Sequence, residues 1–137
     1  MTQTPFQFHT GIEPTEHGDQ YISECPFCSK SDKFYFNTEF LWDCKNANCL
    51  DPATRKPRSG NLVSFLRQLY DEYDTITKAA QIVADWRGLP AARVSQLGLK
   101  FNPLNDSILI PTFKNGRLNN LYKAEKRGDK IQVLCTP

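Results

Sequence analysis

The sequence predicts an α+β fold: a small cysteine-bearing antiparallel sheet, two to three short helices, and then an antiparallel β meander. Three observations lead to this prediction. Two cysteine pairs flank a segment in which aromatic and polar residues alternate, apolar residues at helical spacing follow, and the C-terminal third contains apolar runs separated by turn sequences. With 137 residues, the chain can form one domain, or one small domain with an appendage.

The paired cysteines are the most informative feature of the sequence. Cys25 and Cys28 belong to a Cys-Pro-Phe-Cys motif, and Cys44 and Cys49 form a second, more widely spaced pair. Each spacing lets one turn bring two thiolates to a metal ion, and four thiolates complete a tetrahedral zinc site. Because such a site leaves no open position for water, we predict a zinc ribbon with one structural Zn²⁺ and no catalytic residues. Cys135 lies far from both pairs and is predicted to be a free thiol.

We predict that the ribbon covers residues 21–60. Residues 33–37 and 40–44 each alternate in character, so a short turn between them predicts a hairpin that delivers Cys44 to the metal. Residues 1–20 are acidic and polar without clear periodicity. We therefore expect an irregular N-terminal segment there.

Residues 61–98 are predicted to form a helical linker. The first helix has its apolar stripe at Leu62, Phe65, Leu66, Leu69 and Tyr73. A second helix is predicted over residues 76–86 and a third, short one over Pro90–Leu97, which begins with proline and is followed by glycine.

Residues 99–137 are predicted to form the β meander. Its three strands are expected at residues 108–113, 118–125 and 131–134, and Asn115-Gly116 is the strongest hairpin signal in the chain. The last of these strands ends three residues before the end of the sequence. We interpret this as a fragment boundary, since a meander needs further chain or helices to cover its apolar face.

The charge distribution favours a polyanionic partner. The net charge is only +2, but residues 88–137 carry eight basic and three acidic side chains, and the ribbon segment is also basic. A solvated surface of mixed charge is the alternative. In the ribbon, cations are interleaved with aromatic residues, a combination that binds single-stranded nucleic acid by base stacking and phosphate contacts. The predicted DNA-binding residues are Lys30, Lys33, Tyr35, Trp42, Arg55, Lys56 and Arg58.

The sequence also bears on the cellular compartment. Five cysteines, an odd number that includes a Cys-x-x-Cys pair, favour metal binding over a disulfide framework. The first 20 residues are polar, unlike a signal peptide, and no apolar run approaches the length of a membrane span. We therefore expect a cytoplasmic protein that has no membrane partner.

These motifs, in this order, resemble the zinc-binding domain of bacterial and phage DNA primases. The ribbon half of the resemblance rests on Cys-Pro-Phe-Cys, Ser-Asp-Lys-Phe-Tyr-Phe at 31–36, the second cysteine pair and Gly-Asn-Leu-Val-Ser-Phe-Leu at 60–66. The second half, with Trp-Arg-Gly-Leu at 86–89, Leu-Gly-Leu-Lys-Phe at 97–101 and Ile-Leu-Ile-Pro-Thr-Phe at 108–113, is similar to the segment before the primase catalytic core. The resemblance covers residues 21–137 and is closest to the primases and primase-helicases of phages and mobile elements.

The chain departs from that family in three respects. Cys28 stands where bacterial primases often have histidine, and the interval from Cys49 to Gly60 is longer than usual. The sequence also contains neither the glutamate motif nor the Asp-x-Asp pair of the toprim catalytic centre, whose carboxylates hold two Mg²⁺ ions. The chain alone is therefore expected to be inactive in primer synthesis.

The resemblance implies the N-terminal region of a DNA primase or primase-helicase, acting in a bacterial or phage-infected cell. Such a region binds the single-stranded DNA template and supports primer initiation for a primase catalytic domain outside this sequence, with a replicative helicase or polymerase as further candidate partners. A second interpretation is a stand-alone zinc-ribbon adaptor of a mobile element that binds a polymerase or helicase. A third is an unrelated zinc-ribbon protein of transcription or DNA processing.

Overall fold

The computed structural model describes residues 3–73, 96–127 and 130–136. The fold is α+β, as predicted, with two antiparallel sheets. The chain divides into two compact units, residues 1–69 and 70–137, which are described in turn. No helix in these described ranges is long and apolar enough to cross a membrane.

The first unit is built on a five-stranded antiparallel sheet whose strands follow one another in chain order. Its hairpin of β3 (Phe34–Asn37) and β4 (Trp42–Cys44) was predicted from the alternating pattern, and Phe34 pairs with Cys44 there. Inward and outward residues alternate along both strands, because successive side chains of a strand point to opposite faces. The strands are β1 Thr15–His17, β2 Gln20–Ser23, β3 Phe34–Asn37, β4 Trp42–Cys44 and β5 Ser59–Gly60.

The prediction of an irregular N-terminal segment was wrong. A short helix, α1 (Pro5–Thr10), begins after Thr4, whose hydroxyl accepts a hydrogen bond from the Gln7 N–H, and ends at Gly11 with a φ of 71°. Strand β1 also lies in this segment. Six residues are too few to show helical periodicity, so the only local signals were the Thr-Pro start and the glycine end.

The core of the first unit is a cluster of aromatic rings between the sheet and the helices. The Phe6 ring of α1 lies 4.4 Å from the Phe36 ring and 4.7 Å from the Phe65 ring, centroid to centroid. Phe34 contacts Phe6, Phe65 and Trp42 at 5.4–5.9 Å. Each of these five rings is nearly fully buried. The N-terminal helix therefore supplies a central residue of the core.

Helix α2 (Leu62–Glu72) follows Gly60 and Asn61, and the backbone conformation at position 60 favours glycine. Gly60 has a φ of 146°, and a Cβ at this position would lie 1.9 Å from Ser64 Oγ. Asn61 then caps the helix, since its side-chain oxygen accepts the Ser64 N–H at 2.9 Å. The predicted stripe is present, with Phe65 and Leu69 fully buried.

The second unit is an antiparallel meander, as the sequence predicted. Asn115 and Gly116 both adopt positive φ (54° and 76°), so they form the expected two-residue turn. The first of its four strands was not predicted. The predicted second helix and most of the third lie outside the described residues. The strands, in the order in which they pair, are β6 Lys100–Asn102, β7 Ser107–Lys114, β8 Arg117–Arg127 and β9 Lys130–Cys135.

Replacing Phe6 by alanine tests whether α1 is part of the core. We expect Phe6→Ala to lower the free energy of unfolding by about 3–5 kcal/mol, because it leaves a cavity among four rings. Val63→Ala, at a half-exposed position of α2, should change it by less than about 0.5 kcal/mol. Urea unfolding of the metal-loaded chain measures both values. Equal values for the two variants would contradict the packing of α1.

Candidate functional site

The first cysteine pair lies in a tight turn after β2. The Ser29 N–H donates to the Cys25 carbonyl at 2.9 Å, and the Cys25 N–H donates to the Lys30 carbonyl at 3.0 Å. The Phe27 N–H lies 3.4 Å from Cys25 Sγ, in position to donate a hydrogen bond to the sulfur. Such N–H groups stabilise a thiolate, which is the form that binds metals.

The second pair is held by the backbone of Arg58. Cys44 ends β4, and its N–H donates to the Arg58 carbonyl at 3.0 Å. The Arg58 N–H donates in turn to the Cys49 carbonyl at 3.1 Å, and the Cys49 N–H donates to the Asn46 carbonyl at 2.9 Å. One residue, directly before β5, thus fixes both ends of this turn.

The two turns bring the four sulfur atoms together as a possible metal site. All four lie within 4.8 Å of one another, with Cys25 Sγ 3.9 Å from Cys49 Sγ and Cys28 Sγ 3.7 Å from Cys44 Sγ. These separations exclude disulfide bonds, whose sulfur–sulfur distance is about 2.05 Å. They match the edge of a tetrahedron with metal–sulfur bonds of about 2.3 Å, which is about 3.8 Å. The donor set therefore fits one tetrahedral metal ion.

The thiols of this cluster differ in acidity. Burial raises the pKa of Cys25, and burial also raises the pKa of Cys49 to about 12. Burial acts in the same direction on Cys28, but hydrogen bonds from the Lys30 backbone and the Asn46 side chain outweigh it and lower the Cys28 pKa to about 7. Cys25 and Cys49 therefore hold their protons near neutral pH until a metal displaces them.

Two of the predicted DNA-binding residues are buried, which is evidence against direct DNA contact by their side chains. Trp42 is 4% exposed, and its indole N–H donates to the Asn61 carbonyl at 2.8 Å. Arg58 is also 4% exposed, with its guanidinium 4.2 Å from the centre of the Phe27 ring and donating to Gln68 Oε1. Neither side chain is accessible to a DNA strand, because both support the core and the metal turns.

The other predicted contacts reach solvent. Lys30, Lys33, Arg55 and Lys56 are exposed, and Tyr35 is half-buried on the outward face of β3. Arg55 and Lys56 lie in a compact loop in which the Arg55 N–H donates to the Asp51 carbonyl and the Asp51 N–H donates to the Lys56 carbonyl. Lys33 is two residues before Tyr35, and side chains at this spacing lie on the same side of an extended chain.

Sequence reasoning missed a third residue on this side, Lys45. Its N–H donates to the Lys33 carbonyl at 2.7 Å, and its ammonium group lies 5.3 Å from the centre of the Tyr35 ring. Asp43, the strand partner of Tyr35, forms an exposed ion pair with Lys45 at 2.8 Å. The sequence does contain a signal for this position of Lys45. Lys45 is two residues after Asp43, and side chains at this spacing lie on the same face of a strand.

Lys33, Tyr35 and Lys45 lie on one face of the hairpin, here called the Tyr35 face, together with the Asp43 carboxylate that pairs with Lys45. A separate open cleft of about 440 Å³ lies at the tip of the β7–β8 hairpin in the second unit, and its lining includes Lys114 and Arg117. Beside Tyr35 runs a smaller open cleft of about 220 Å³. Its polar lining consists of Gln20, Asn37 and Asp43, together with the tyrosine.

No protein-family model and no curated protein matches the sequence. The function of the site is therefore inferred from its residues. These are a cluster of four cysteine sulfur atoms that could hold a metal ion and, on β3, a tyrosine whose ring centre lies 5.3 Å from the Lys45 ammonium group.

Metal affinity should fall as the pH decreases. A bound metal requires thiolates, so Cys25 and Cys49, with their raised pKa values, each release a proton on binding near neutral pH. Two competing protons weaken binding by at least about 100-fold per pH unit of acidification, and Cys28 adds a further proton below about pH 7. Competition with a chelator between about pH 6 and pH 8 measures this slope. An affinity independent of pH would contradict metal binding by these thiols.

Proposed function

We propose that the first unit is a zinc ribbon that binds single-stranded DNA, as the N-terminal region of a DNA primase or primase-helicase. The observation that supports it best is the tetrahedral spacing of four sulfur atoms from two turns. The proposal has two separable parts, the identity of the metal and the nature of the ligand on the Tyr35 face.

Zinc is the metal that the donor set favours. Four thiolates in a tetrahedron select zinc or iron–sulfur chemistry among the common metals, and a single mononuclear site closed by four cysteines is typical of structural zinc. Four sulfur ligands would leave no open coordination position for a substrate, and Cys25, Cys44 and Cys49 are buried. The ion would hold the two turns together, with no role in bond making.

Single-stranded DNA is the ligand that the Tyr35 face favours. A tyrosine ring offers a stacking surface for a base, and the Lys45 ammonium group, which is also ion-paired with Asp43, lies 5.3 Å from the ring centre. Lys33, two residues before Tyr35, adds an exposed cation that can contact a phosphate. The neighbouring cleft adds the amide of Gln20, which can donate to and accept from base edges. Asn37 can offer only its amide N–H groups, because its side-chain oxygen accepts the N–H groups of Glu39 and Leu41. Lys30, Arg55 and Lys56 add exposed positive charge to the same unit.

The primase assignment rests on the order of motifs in the sequence. A ribbon, a glycine-asparagine helix start and an Asn-Gly hairpin follow one another as in the primase segment that the chain resembles. In that assignment, the ribbon contacts the template and supports initiation, while a toprim module that this sequence does not contain joins the nucleotides. The adaptor interpretation differs in its partner, which is then a protein rather than DNA.

Replacing single cysteines tests the metal part of the proposal. We expect each of Cys25→Ser, Cys28→Ser, Cys44→Ser and Cys49→Ser to weaken zinc binding by more than about 100-fold, since each removes one ligand. Cys135→Ser is the matched control, because this exposed thiol lies outside the cluster, and it should keep full affinity. Chelator competition on the purified variants measures the affinities. Loss of zinc from the control, or its retention by a cluster variant, counts against the four-cysteine site.

Replacing Tyr35 tests the DNA part. We expect Tyr35→Ala to weaken binding of the zinc-loaded chain to a fluorescent single-stranded oligonucleotide by about 5- to 100-fold, the effect of losing one stacked base. Tyr35→Phe keeps the ring and should bind like the parent chain. Replacing Lys33 and Lys45 by glutamine should reduce the slope of affinity against salt concentration, because fewer counterions are released.

Fluorescence anisotropy across a range of salt concentrations measures both effects. A zinc-loaded chain that binds no oligonucleotide at low salt would contradict the DNA part and favour the protein-adaptor interpretation. Equal binding by Tyr35→Ala and Tyr35→Phe would contradict stacking on this ring.

A further inference from the structure

A further open cleft of about 300 Å³ in the first unit is lined by the loop before β5 and by the first two turns of α2. It shares no described lining residue with the cleft beside Tyr35. The hydrogen bonds within its lining decide what kind of ligand it can take. The polar side chains that matter for this are Asp51, Lys56, Ser59, Asn61, Arg67 and Gln68.

The strong acceptors of this cleft are already engaged. Among the described residues that line it, every carboxylate and side-chain amide oxygen accepts a hydrogen bond from the protein. One oxygen of Asp51 accepts a backbone N–H of its own loop at 3.1 Å, and the other accepts the Arg67 guanidinium at 2.7 Å. The side-chain oxygen of Asn61 accepts an N–H of α2, and that of Gln68 accepts a guanidinium N–H. A cationic ligand would therefore find no free carboxylate or amide oxygen in this lining.

The groups that remain available are donors. The exposed Lys56 ammonium group forms no ion pair within the described parts of the chain. Asn61, whose oxygen caps α2, keeps its side-chain N–H donors, and the Ser59 hydroxyl makes no hydrogen bond with a described residue. A ligand that satisfies an ammonium, an amide and a hydroxyl group must supply several acceptor oxygens. A phosphate group does so, and its negative charge strengthens each hydrogen bond.

The net charge of the cleft suits a phosphodiester. Burial acts to raise the pKa of Asp51, but the hydrogen bond from Arg67 outweighs it and holds that pKa below its ordinary value. Asp51 and Arg67 therefore neutralise each other, and Lys56 is the one unpaired charge in the described lining. A backbone phosphate of DNA carries one negative charge, whereas a terminal phosphate carries about −1.5 to −2. One free cation matches the backbone phosphate.

The cleft adjoins the Tyr35 face. Tyr35 pairs with Asp43 on β4, and Asp43 pairs with Ser59 on β5. Residues paired directly across antiparallel strands share one face of the sheet. Ser59 therefore lies on the face that carries Tyr35, two strand spacings or about 10 Å away. The Asp43 carboxylate between them is ion-paired with Lys45, so no unpaired negative charge stands on this path.

We propose that this cleft binds a backbone phosphate of the DNA strand whose base stacks on Tyr35. The proposal rests on the DNA part of the proposed function and adds a second contact on the first unit. The strand then crosses the sheet from β3 over β4 to the cleft beside β5. Lys56 acquires a defined partner, and Ser59 and Asn61 join it as phosphate ligands that were not among the predicted DNA-binding residues.

Two variants remove donors from the cleft by different routes. Lys56→Gln removes the exposed charge. Asn61→Asp keeps an oxygen to cap α2, because aspartate caps helices as well as asparagine does, but replaces the amide donor by a negative charge. Arg55→Gln is the matched control, since it also lowers the net charge by one, at an exposed position of the same loop outside the described lining. Urea unfolding of the zinc-loaded variants checks that all three fold.

Inorganic phosphate is the first probe. We expect a phosphate titration of the zinc-loaded chain, at an ionic strength held constant with chloride, to shift the backbone amide NMR signals of residues 59–61. Lys56→Gln should weaken this binding by about 5- to 10-fold, and Asn61→Asp should weaken it at least as much. Arg55→Gln should change phosphate affinity by less than about twofold, because exposed charges outside the site are screened.

A fluorescent single-stranded oligonucleotide without terminal phosphates is the second probe. Lys56→Gln should weaken its binding and lower the slope of log affinity against log salt by about 0.7, the value for one phosphate contact on a single strand. Tyr35→Ala should weaken binding with that slope unchanged, because it removes a stacked base rather than a phosphate contact. Fluorescence anisotropy measures both variants.

Three results overturn the proposal. Phosphate that leaves the signals of residues 59–61 in place, or that binds Asn61→Asp as tightly as the parent chain, shows that the cleft is not a phosphate site. A salt slope unchanged in Lys56→Gln, with binding still dependent on Tyr35, removes the phosphate contact and leaves the proposed function standing. Displacement of inorganic phosphate by ATP but not by the oligonucleotide shows that the ligand is a free nucleotide. Failure of the DNA part itself looks different, since the parent chain would then bind no oligonucleotide at all.

Discussion

The convergence of four sulfur atoms is the constraint on which the first unit depends. The cysteines come from two turns that are far apart in sequence, and their sulfur atoms lie within 4.8 Å of one another. Between them runs the hairpin of β3 and β4, and the second turn leads through β5 into α2. A bound ion at this point would fix the register of the hairpin and the entry to the helix at once, because folding and metal binding are then one equilibrium.

The two faces of the sheet in the first unit differ in role: the inner face packs in the core, and the outer face carries the proposed DNA-binding residues. The inner face carries the rings of Phe34, Phe36 and Trp42, which pack against Phe6 and Phe65. Burial of these rings stabilises the unit, because each aromatic side chain removes a large apolar area from water. The outer face carries Tyr35 with the Lys45 ammonium group beside its ring. Strand alternation therefore accounts for both the core and the proposed DNA surface.

Much of this arrangement could be predicted from the sequence, because the features that predict it are patterns among residues close together in the chain. Cysteine spacing, alternation along β3 and β4, the helical stripe and the Asn-Gly turn are all short-range patterns, and each appears where it was expected. Helix α1 was missed because six residues show no period. Trp42 and Arg58 were taken for DNA contacts because their chemistry is ambiguous. Only tertiary packing, against Asn61 and Phe27 respectively, decides that they are buried.

X-ray absorption at the zinc edge, with metal content determined on the same purified sample, tests the central claim most directly. The account predicts one zinc per chain, with four sulfur atoms at about 2.3 Å in its first shell. A chain that contains no stoichiometric zinc would contradict it. So would a first shell in which nitrogen or oxygen replaces one of the sulfur atoms, because the fourth cysteine would then lie outside the site.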